Sequence, residues 1–176
     1  MVRLYFYQCP KQEDQHAYWR ARLAEILCRD FGLANCSYIT RPGGKPALEN
    51  DAMFFNVSHS RDQLVVAVAD TEVGVDIESC DRRISERLRR HCLTERERAQ
   101  TPPDDARAFI RIWTAKESYL KLYGSGLRRP MRSFCVLDDR FSSPDLPPAV
   151  FQRLERGEYT VCVATKDKKT LQIVQV

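Results

Sequence analysis

Apolar and polar positions alternate strictly in one segment near the middle of the chain. Residues 73–78 read Val-Gly-Val-Asp-Ile-Glu, so the three apolar side chains fall on one face of a strand and Gly74, Asp76 and Glu78 fall on the other. Apolar runs bounded by turn-forming residues predict further strands. These runs cover residues 4–7, 37–40, 54–57, 64–69, 134–137 and 159–164.

Apolar residues spaced three and four apart predict two long helices. The first covers residues 13–31 and the second covers residues 106–123, and each ends at a glycine. In the second helix, Trp113, Glu117 and Lys121 follow one another at intervals of four and form one stripe. An exposed Glu-to-Lys pair on a solvated helix would give the same spacing. The stripe therefore suggests a site without establishing one.

The order of these elements indicates an α+β fold. Strands precede and follow a long helix in each half of the chain, although no repeat is visible residue by residue. A chain of 176 residues can form one domain or two small subdomains that share an interface.

Two acidic residues on one strand face need an explanation. Asp and Glu are poor strand formers, and the carboxylates of Asp76 and Glu78 repel each other at a spacing of about 7 Å. A divalent cation would relieve this repulsion, whereas a solvated sheet edge would tolerate it. Gly74 on the same face leaves room for a ligand or another backbone to approach closely.

The composition is typical of a folded protein outside the membrane. Hydrophobic residues make up 43% of the chain. The longest apolar run, residues 64–69, is far shorter than the roughly 20 residues of a membrane-spanning helix. The N-terminus does not resemble a secretory signal, so a cytoplasmic location is expected. Seven scattered cysteines without ligand spacing indicate reduced thiols rather than a zinc site.

The net charge of +4 is modest, but arginines crowd residues 82–98. Such a cluster favours an acidic partner. Nucleic acid is disfavoured because Glu86, Glu95 and Glu97 are interspersed and no aromatic residues alternate with the arginines.

Thr94 and Glu97 also match a capping box at a helix start.

Four segments together resemble the 4′-phosphopantetheinyl transferases, in particular the larger, monomeric type that activates synthetase carrier proteins. The segments are Gly44-Lys45-Pro46, residues 55–60 (Phe-Asn-Val-Ser-His-Ser), residues 73–78, and residues 113–121 with the pattern W-x-x-K-E-x-x-x-K. They occur in the order found in that family. Each segment is weak evidence alone, but the combination is specific.

The resemblance implies two similar α+β subdomains related by a pseudo-twofold axis, with the active site between them. The expected division is an N-terminal subdomain, residues 1–72, that contacts coenzyme A, and a C-terminal subdomain, residues 73–176, that carries the metal and catalytic residues. The implied reaction moves the 4′-phosphopantetheine arm of coenzyme A to a serine of an apo acyl or peptidyl carrier protein and releases 3′,5′-ADP.

The resemblance also assigns roles to individual residues. Asp76, Glu78 and Glu117 would hold Mg²⁺, with Mn²⁺ as the alternative ion. Glu117 would also be the catalytic base, and Lys121 would neutralise the leaving phosphate. Trp113 is expected to pack and fix the helix.

Five further residues are expected to contact the coenzyme. They are Lys45, Pro46, Ser58, His59 and Lys116. The basic residues that grip the coenzyme 3′-phosphate in the family have no clear counterparts here. Lys11, Arg20, Arg22 and Arg41 are candidates for that role.

Carrier docking is expected beside the catalytic helix, on residues 124–131. Leu127 and Met131 would supply apolar contacts there, and Arg128 and Arg129 would supply charge. The arginines of residues 82–98 would steer the carrier from longer range.

Two other functions fit parts of the sequence. Another Mg²⁺-dependent phosphoryl-transfer enzyme or phosphohydrolase would use a similar carboxylate cluster with a lysine. A non-enzymatic basic binding module would use the arginine cluster and would not need Asp76 or Glu117.

Overall fold

The computed structural model of the chain describes residues 1–9, 14–126 and 129–175. The α-helices are α1 (Gln15–Phe31), α2 (Glu86–Cys92), α3 (Glu95–Gln100) and α4 (Ala106–Leu122), and a short 3₁₀ helix covers Met131–Ser133. The strands are β1 (Val2–Gln8), β2 (Tyr38–Thr40), β3 (Pro46–Leu48), β4 (Phe54–Ser60), β5 (Gln63–Ala69), β6 (Val73–Ser79), β7 (Cys135–Leu137), β8 (Arg140–Ser142), β9 (Val150–Arg156), β10 (Tyr159–Thr165) and β11 (Leu171–Val174). The predicted α+β class is confirmed.

Helix boundaries follow the capping residues. The Asp14 side chain accepts hydrogen bonds from the first backbone N–H groups of α1, and Gly32 ends that helix in the left-handed conformation, with φ of 66°. Thr94 and Glu97 form the predicted capping box at the start of α3. Among the residues that the structure describes, no helix is long and apolar enough to cross a membrane.

Two larger sheets form the centre of the molecule. One has the strand order β11-β1-β5-β4, and the other has the order β6-β10-β9. Their apolar faces pack against each other, with Val65 and Ala67 of β5 in one cluster with Val75 and Ile77 of β6. The helix α1 covers the outer face of the first sheet, and α4 covers the outer face of the second.

The C-terminal strand departs from a simple division into halves. Residues 166–169 look like a turn that links a final strand pair, yet β11 pairs in parallel with β1, in the sheet of the first half. The hairpin of the second half is instead β9 with β10. A twofold relation between the halves stays a prediction.

Gly74 marks the closest approach of α4 to β6. A Cβ atom added there would lie 2.0 Å from the Ser118 carbonyl oxygen and 2.5 Å from the Leu122 nitrogen. The close approach predicted for this glycine is therefore to another backbone. Because Glu117 and Lys121 directly precede the two contacting residues, this packing brings both of them to the acidic face of β6.

Candidate active site

Lys121 and Asp76 form an ion pair at the interface of α4 and β6. The Lys121 Nζ atom lies 2.7 Å from Asp76 Oδ1 and also donates to the Val75 carbonyl. The Ser58 hydroxyl donates to the same Asp76 oxygen at 2.8 Å and accepts a hydrogen bond from Lys121. The Lys121 side chain keeps 27% of its surface exposed, whereas the Asp76 side chain keeps 5%.

Glu78 lies two residues after Asp76, on the same face of β6. Its Oε2 atom accepts a hydrogen bond from the Ser60 hydroxyl at 2.8 Å, and Arg82 lies 3.6 Å from that oxygen. Burial and the negative charge of Asp76 raise the pKa of Glu78. The sequence prediction that both carboxylates share one strand face is confirmed.

The carboxyl group of Glu117 has a strongly raised pKa. Burial raises its pKa from 4.5 to about 7, and the charges of Asp76 and Glu78 act in the same direction, while Lys121 opposes them. The three acidic residues are therefore near enough to interact electrostatically. A carboxyl group with a pKa near neutrality can exchange a proton under physiological conditions.

The donor set fits a hard divalent cation. The Asp76 Oδ2 atom is buried and has no hydrogen-bond partner, which a cation would supply. The mutual repulsion that raises the pKa of Glu117 would be relieved at the same time. No group of three or more His, Cys, Asp or Glu residues is arranged as a ready ligand set within the described ranges.

A groove of about 290 Å³ opens beside this cluster. Its walls include Glu117 and Lys121 of α4, Asn56 and Val57 of β4, and the loop of Gly43 and Gly44. A second groove of about 590 Å³ shares Asn56 and Val57 with the first and so continues it. His16, Trp19 and His59 line this continuation, which runs between α1 and β4.

Three predicted coenzyme contacts, Lys45, Pro46 and His59, line these grooves. Pro46 borders both of them. His59 is exposed on β4, which continues to Ser60 instead of ending at residue 57 as predicted. These three assignments stay predictions.

Ser58 is engaged within the protein. The side chain is 5% exposed, and its single hydroxyl hydrogen is directed to Asp76. The oxygen accepts from Lys121 and from the Ile77 backbone. Ser58 therefore holds Asp76 in this structure, and its expected coenzyme contact stays a prediction.

Lys45 is also engaged within the protein. Its Nζ atom donates to the Glu72 carboxylate, the Val73 carbonyl and the Leu122 carbonyl, and its side chain is 9% exposed. Burial lowers the pKa of Lys45, an effect that Glu72 opposes. The ammonium group ties the glycine loop to the end of α4. Since Lys45 also lines the first groove, its coenzyme contact stays a prediction.

The prediction for Lys116 is wrong. The residue is 0% exposed, and its Nζ atom donates to Glu97 at 2.6 Å and to the carbonyls of Cys92, Met131 and Phe134. Successive residues of a helix point about 100° apart, so Lys116 faces the core while Glu117 faces the groove. Lys116 anchors α4 and does not reach a coenzyme phosphate.

The residues that are candidates for binding the coenzyme 3′-phosphate differ in their contacts. Arg22 pairs with Glu25 at 2.9 Å, and Arg41 pairs with Glu72 at 3.1 Å. Arg20 lies over the Trp19 ring at 5.5 Å, beside the second groove. Lys11, Leu127 and Arg128 lie outside the described residues.

Sequence reasoning missed several residues that support the site. Asn56 and Ser60 on β4 hydrogen-bond across to β6, and the alternation of polar residues at 56, 58 and 60 was the available signal. The half-buried Glu72 is the partner of Lys45, and the buried Glu97 is the partner of Lys116. No local pattern links these distant pairs.

Comparison with known proteins identifies the family. The family model of the 4'-phosphopantetheinyl transferase superfamily matches residues 72–171. The chain is 31% identical to a 4'-phosphopantetheinyl transferase of Bacillus subtilis, over 89% of this chain and 77% of that protein. It is 35% identical to 4'-phosphopantetheinyl transferase psf-1 of Bacillus pumilus, over 89% of this chain and 75% of that protein. It is 27% identical to 4'-phosphopantetheinyl transferase gsp of Aneurinibacillus migulanus, over 77% and 71% of the two chains.

The family match and the site coincide on the chain. Asp76, Glu78, Glu117 and Lys121 all fall within the matched residues 72–171. Since that match spans more than half of the chain, and two relatives exceed 30% identity over most of both sequences, the chain belongs to the 4'-phosphopantetheinyl transferase superfamily.

Proposed function

We propose that this chain transfers the 4′-phosphopantetheine arm of coenzyme A to a serine hydroxyl of an apo acyl or peptidyl carrier protein, with release of 3′,5′-ADP. The observation that carries the proposal is the meeting of Asp76, Glu117 and Lys121 beside an open groove, in a member of this family. Residues 1–72 and 73–176 would form the two sides of the site. The chain would act as a monomer.

Glu117 is the proposed base for the acceptor serine. A pKa of about 7 leaves a large share of this carboxyl group ionised near neutral pH, and the group lies on the groove wall. Both properties suit a group that must accept a proton and be regenerated. Ser58 and Asp76 hold Lys121 nearby.

Lys121 is the proposed partner of the leaving phosphate. Its side chain is partly exposed and lines the groove, so it can contact a substrate oxygen without a large movement. Its charge matters most when the leaving 3′,5′-ADP gains negative charge. The residue would therefore contribute more to turnover than to coenzyme binding.

Asp76, Glu78 and Glu117 would hold Mg²⁺, or Mn²⁺ in its place. When bound, such an ion neutralises the pyrophosphate charge and favours phosphoryl transfer. The orphaned Asp76 Oδ2 atom supports this assignment.

The coenzyme would lie along the two continuous grooves. Its pyrophosphate would approach Lys121, and its adenosine end would extend toward Trp19 and His59. Arg20 is the proposed contact for the 3′-phosphate, because Arg22 and Arg41 are already paired with carboxylates.

The carrier protein would dock beside α4 on a basic groove of about 540 Å³ instead of on the predicted residues 124–131. The reason for this change is that Met131 is only 5% exposed and so cannot supply the expected apolar contact. The residues that line it include Arg87, Arg90 and His91 of α2 and Arg132 of the 3₁₀ helix. Lys116 of α4 donates hydrogen bonds to the carbonyl groups of Cys92, at the end of α2, and of Met131, in the 3₁₀ helix. Both elements that line the groove are thus attached to the catalytic helix. An acidic carrier surface would complement this charge.

Steady-state kinetics with an apo carrier protein test the catalytic roles. Lys121→Met is expected to lower kcat by a larger factor than it raises the KM for coenzyme A. The matched control is Lys168→Met, because Lys168 is exposed in the loop before β11. Unchanged kcat in Lys121→Met would refute the role. Release of phosphopantetheine without any carrier protein would indicate a phosphohydrolase instead.

A further inference from the structure

Alternate side chains of β4 hydrogen-bond the free edge of β6. Three β6 backbone N–H groups each donate to one side-chain oxygen on β4, and the residues in each pair are 19 positions apart. The pairs are Val75 with Asn56 at 2.8 Å, Ile77 with Ser58 at 3.3 Å, and Ser79 with Ser60 at 3.2 Å. We call Asn56, Ser58 and Ser60 the β4 seam. It joins the edges of two different sheets through side chains.

The two serines of the β4 seam make a second hydrogen bond, also in register. Ser58 donates to the Asp76 carboxylate and Ser60 donates to the Glu78 carboxylate, both at 2.8 Å and both across 18 positions. Each serine thus makes two hydrogen bonds to β6. Its hydroxyl group donates to the carboxylate of an acidic residue, and its oxygen accepts a hydrogen bond from the backbone N–H of the residue after that acidic residue. The backbone of β6 thereby fixes the direction of both carboxylates.

This arrangement uses one oxygen of Asp76 and one of Glu78. The bonded atoms are Asp76 Oδ1 and Glu78 Oε2, and the other Asp76 oxygen is buried without a partner. Ser58 and Ser60 are 5% and 9% exposed, so water competes little for their hydroxyl groups. Hydrogen-bond partners that orient ligands in this way affect metal affinity strongly.

We propose that Ser60 is a positioning residue that presents Glu78 to the divalent cation, with Ser58 in the equivalent place for Asp76. The inference rests on the proposed function, since it assumes a cation at these carboxylates. Ser60 gives the cleaner test because Ser58 also contacts Lys121. Arg82 lies 3.6 Å from Glu78 and is 41% exposed, so solvent weakens its hold on the carboxylate.

A purely structural role for Ser60 makes a different prediction. In that case its hydroxyl would only satisfy the edge N–H of Ser79, and its loss would lower stability without changing metal affinity. Direct titration with Mn²⁺, by calorimetry without coenzyme or carrier protein, separates the two roles. Thermal denaturation of each variant reports whether it is folded.

The expected result is a loss of Mn²⁺ affinity of about 10-fold or more in Ser60→Ala. Ser60→Thr keeps the hydroxyl group and should stay within about threefold of the wild-type chain. Ser60→Cys keeps the side-chain shape with a weaker donor, so its affinity should lie between these two. Ser142→Ala is the matched control, because Ser142 is an exposed serine in a strand remote from the carboxylates. It should bind Mn²⁺ as the wild-type chain does.

Two outcomes would overturn the proposal in different ways. If the wild-type chain binds Mn²⁺ and both Ser60→Ala and Ser60→Cys bind it equally well, the positioning role of Ser60 fails while the cation site stands. If the wild-type chain does not bind Mn²⁺, the cation site itself fails, and the role of Ser60 fails with it. Should Ser60→Ala not fold, Ser60→Cys decides between the two roles.

Discussion

Replacing Gly74 with alanine should separate the catalytic helix from the acidic strand. The added Cβ atom would meet three backbone atoms of α4, at 2.0 Å from Ser118 O, 2.5 Å from Leu122 N and 3.0 Å from Leu122 Cα. Ordinary contact begins at 3.4 Å, so the helix backbone must move by about an ångström or more. No side chain can rotate away to relieve these contacts. The loss in the free energy of unfolding should therefore reach or exceed about 3 kcal/mol, the upper end of the range for overpacked cores.

Urea denaturation followed by circular dichroism measures this loss. Gly157→Ala is the matched control, because Gly157 lies in the β9–β10 turn at φ of 60° with no atom within 4 Å of an added Cβ. It should lose only about 1–2 kcal/mol, from left-handed backbone strain. A Gly74→Ala protein as stable as Gly157→Ala would refute the close packing of α4 on β6. Transfer activity of any folded Gly74→Ala protein should fall, because Glu117 and Lys121 move with the helix.

Three further substitutions test charged side chains that the fold buries partly or wholly. Lys116→Met should cost about 3–5 kcal/mol in urea denaturation, because Glu97 is left as an unpaired buried charge, and a loss under about 1 kcal/mol would contradict that pairing. With chelator present, the free energy of unfolding should fall between pH 4.5 and about 7. In this range the Glu117 carboxyl group is ionised in the unfolded chain but still largely protonated in the folded chain. Glu117→Gln should therefore have a free energy of unfolding about 1–2 kcal/mol above that of the wild type at pH 8, after allowance for solvent screening, and an equal one at pH 4. The same difference from the wild type at both pH values would contradict this prediction. Lys45→Met should lose about 1–3 kcal/mol of stability and leave the salt dependence of the coenzyme KM unchanged. A flatter salt dependence in this variant would indicate that Lys45 contacts a coenzyme phosphate.

The elements of the site were predictable because their patterns are local. Strict alternation over residues 73–78 located β6, which is Val73–Ser79. Helical spacing over residues 106–123 located α4, which is Ala106–Leu122. Gly74 on the acidic face also indicated a close approach. These features depend on residues within one segment, so periodicity is sufficient to find them.

Pairings between distant segments were not predictable. The parallel pairing of β11 with β1 joins the two ends of the chain, and no local pattern specifies it. The resemblance implies a coenzyme contact for Lys116, but Lys116 and Glu117 face different directions because adjacent helical residues point about 100° apart. The burial of Lys116 depends on Glu97, which is 19 positions away. The polar alternation of the β4 seam was visible, but its partner strand was not.

The most direct test of phosphopantetheine transfer is the intact mass of apo carrier proteins after incubation with the chain, coenzyme A and Mg²⁺. Wild-type protein should add one phosphopantetheine group to a single serine and release one equivalent of 3′,5′-ADP, while Glu117→Gln should leave the carrier unmodified. An unmodified mass with folded wild-type protein, across a panel of apo acyl and peptidyl carrier proteins, would contradict the proposed reaction.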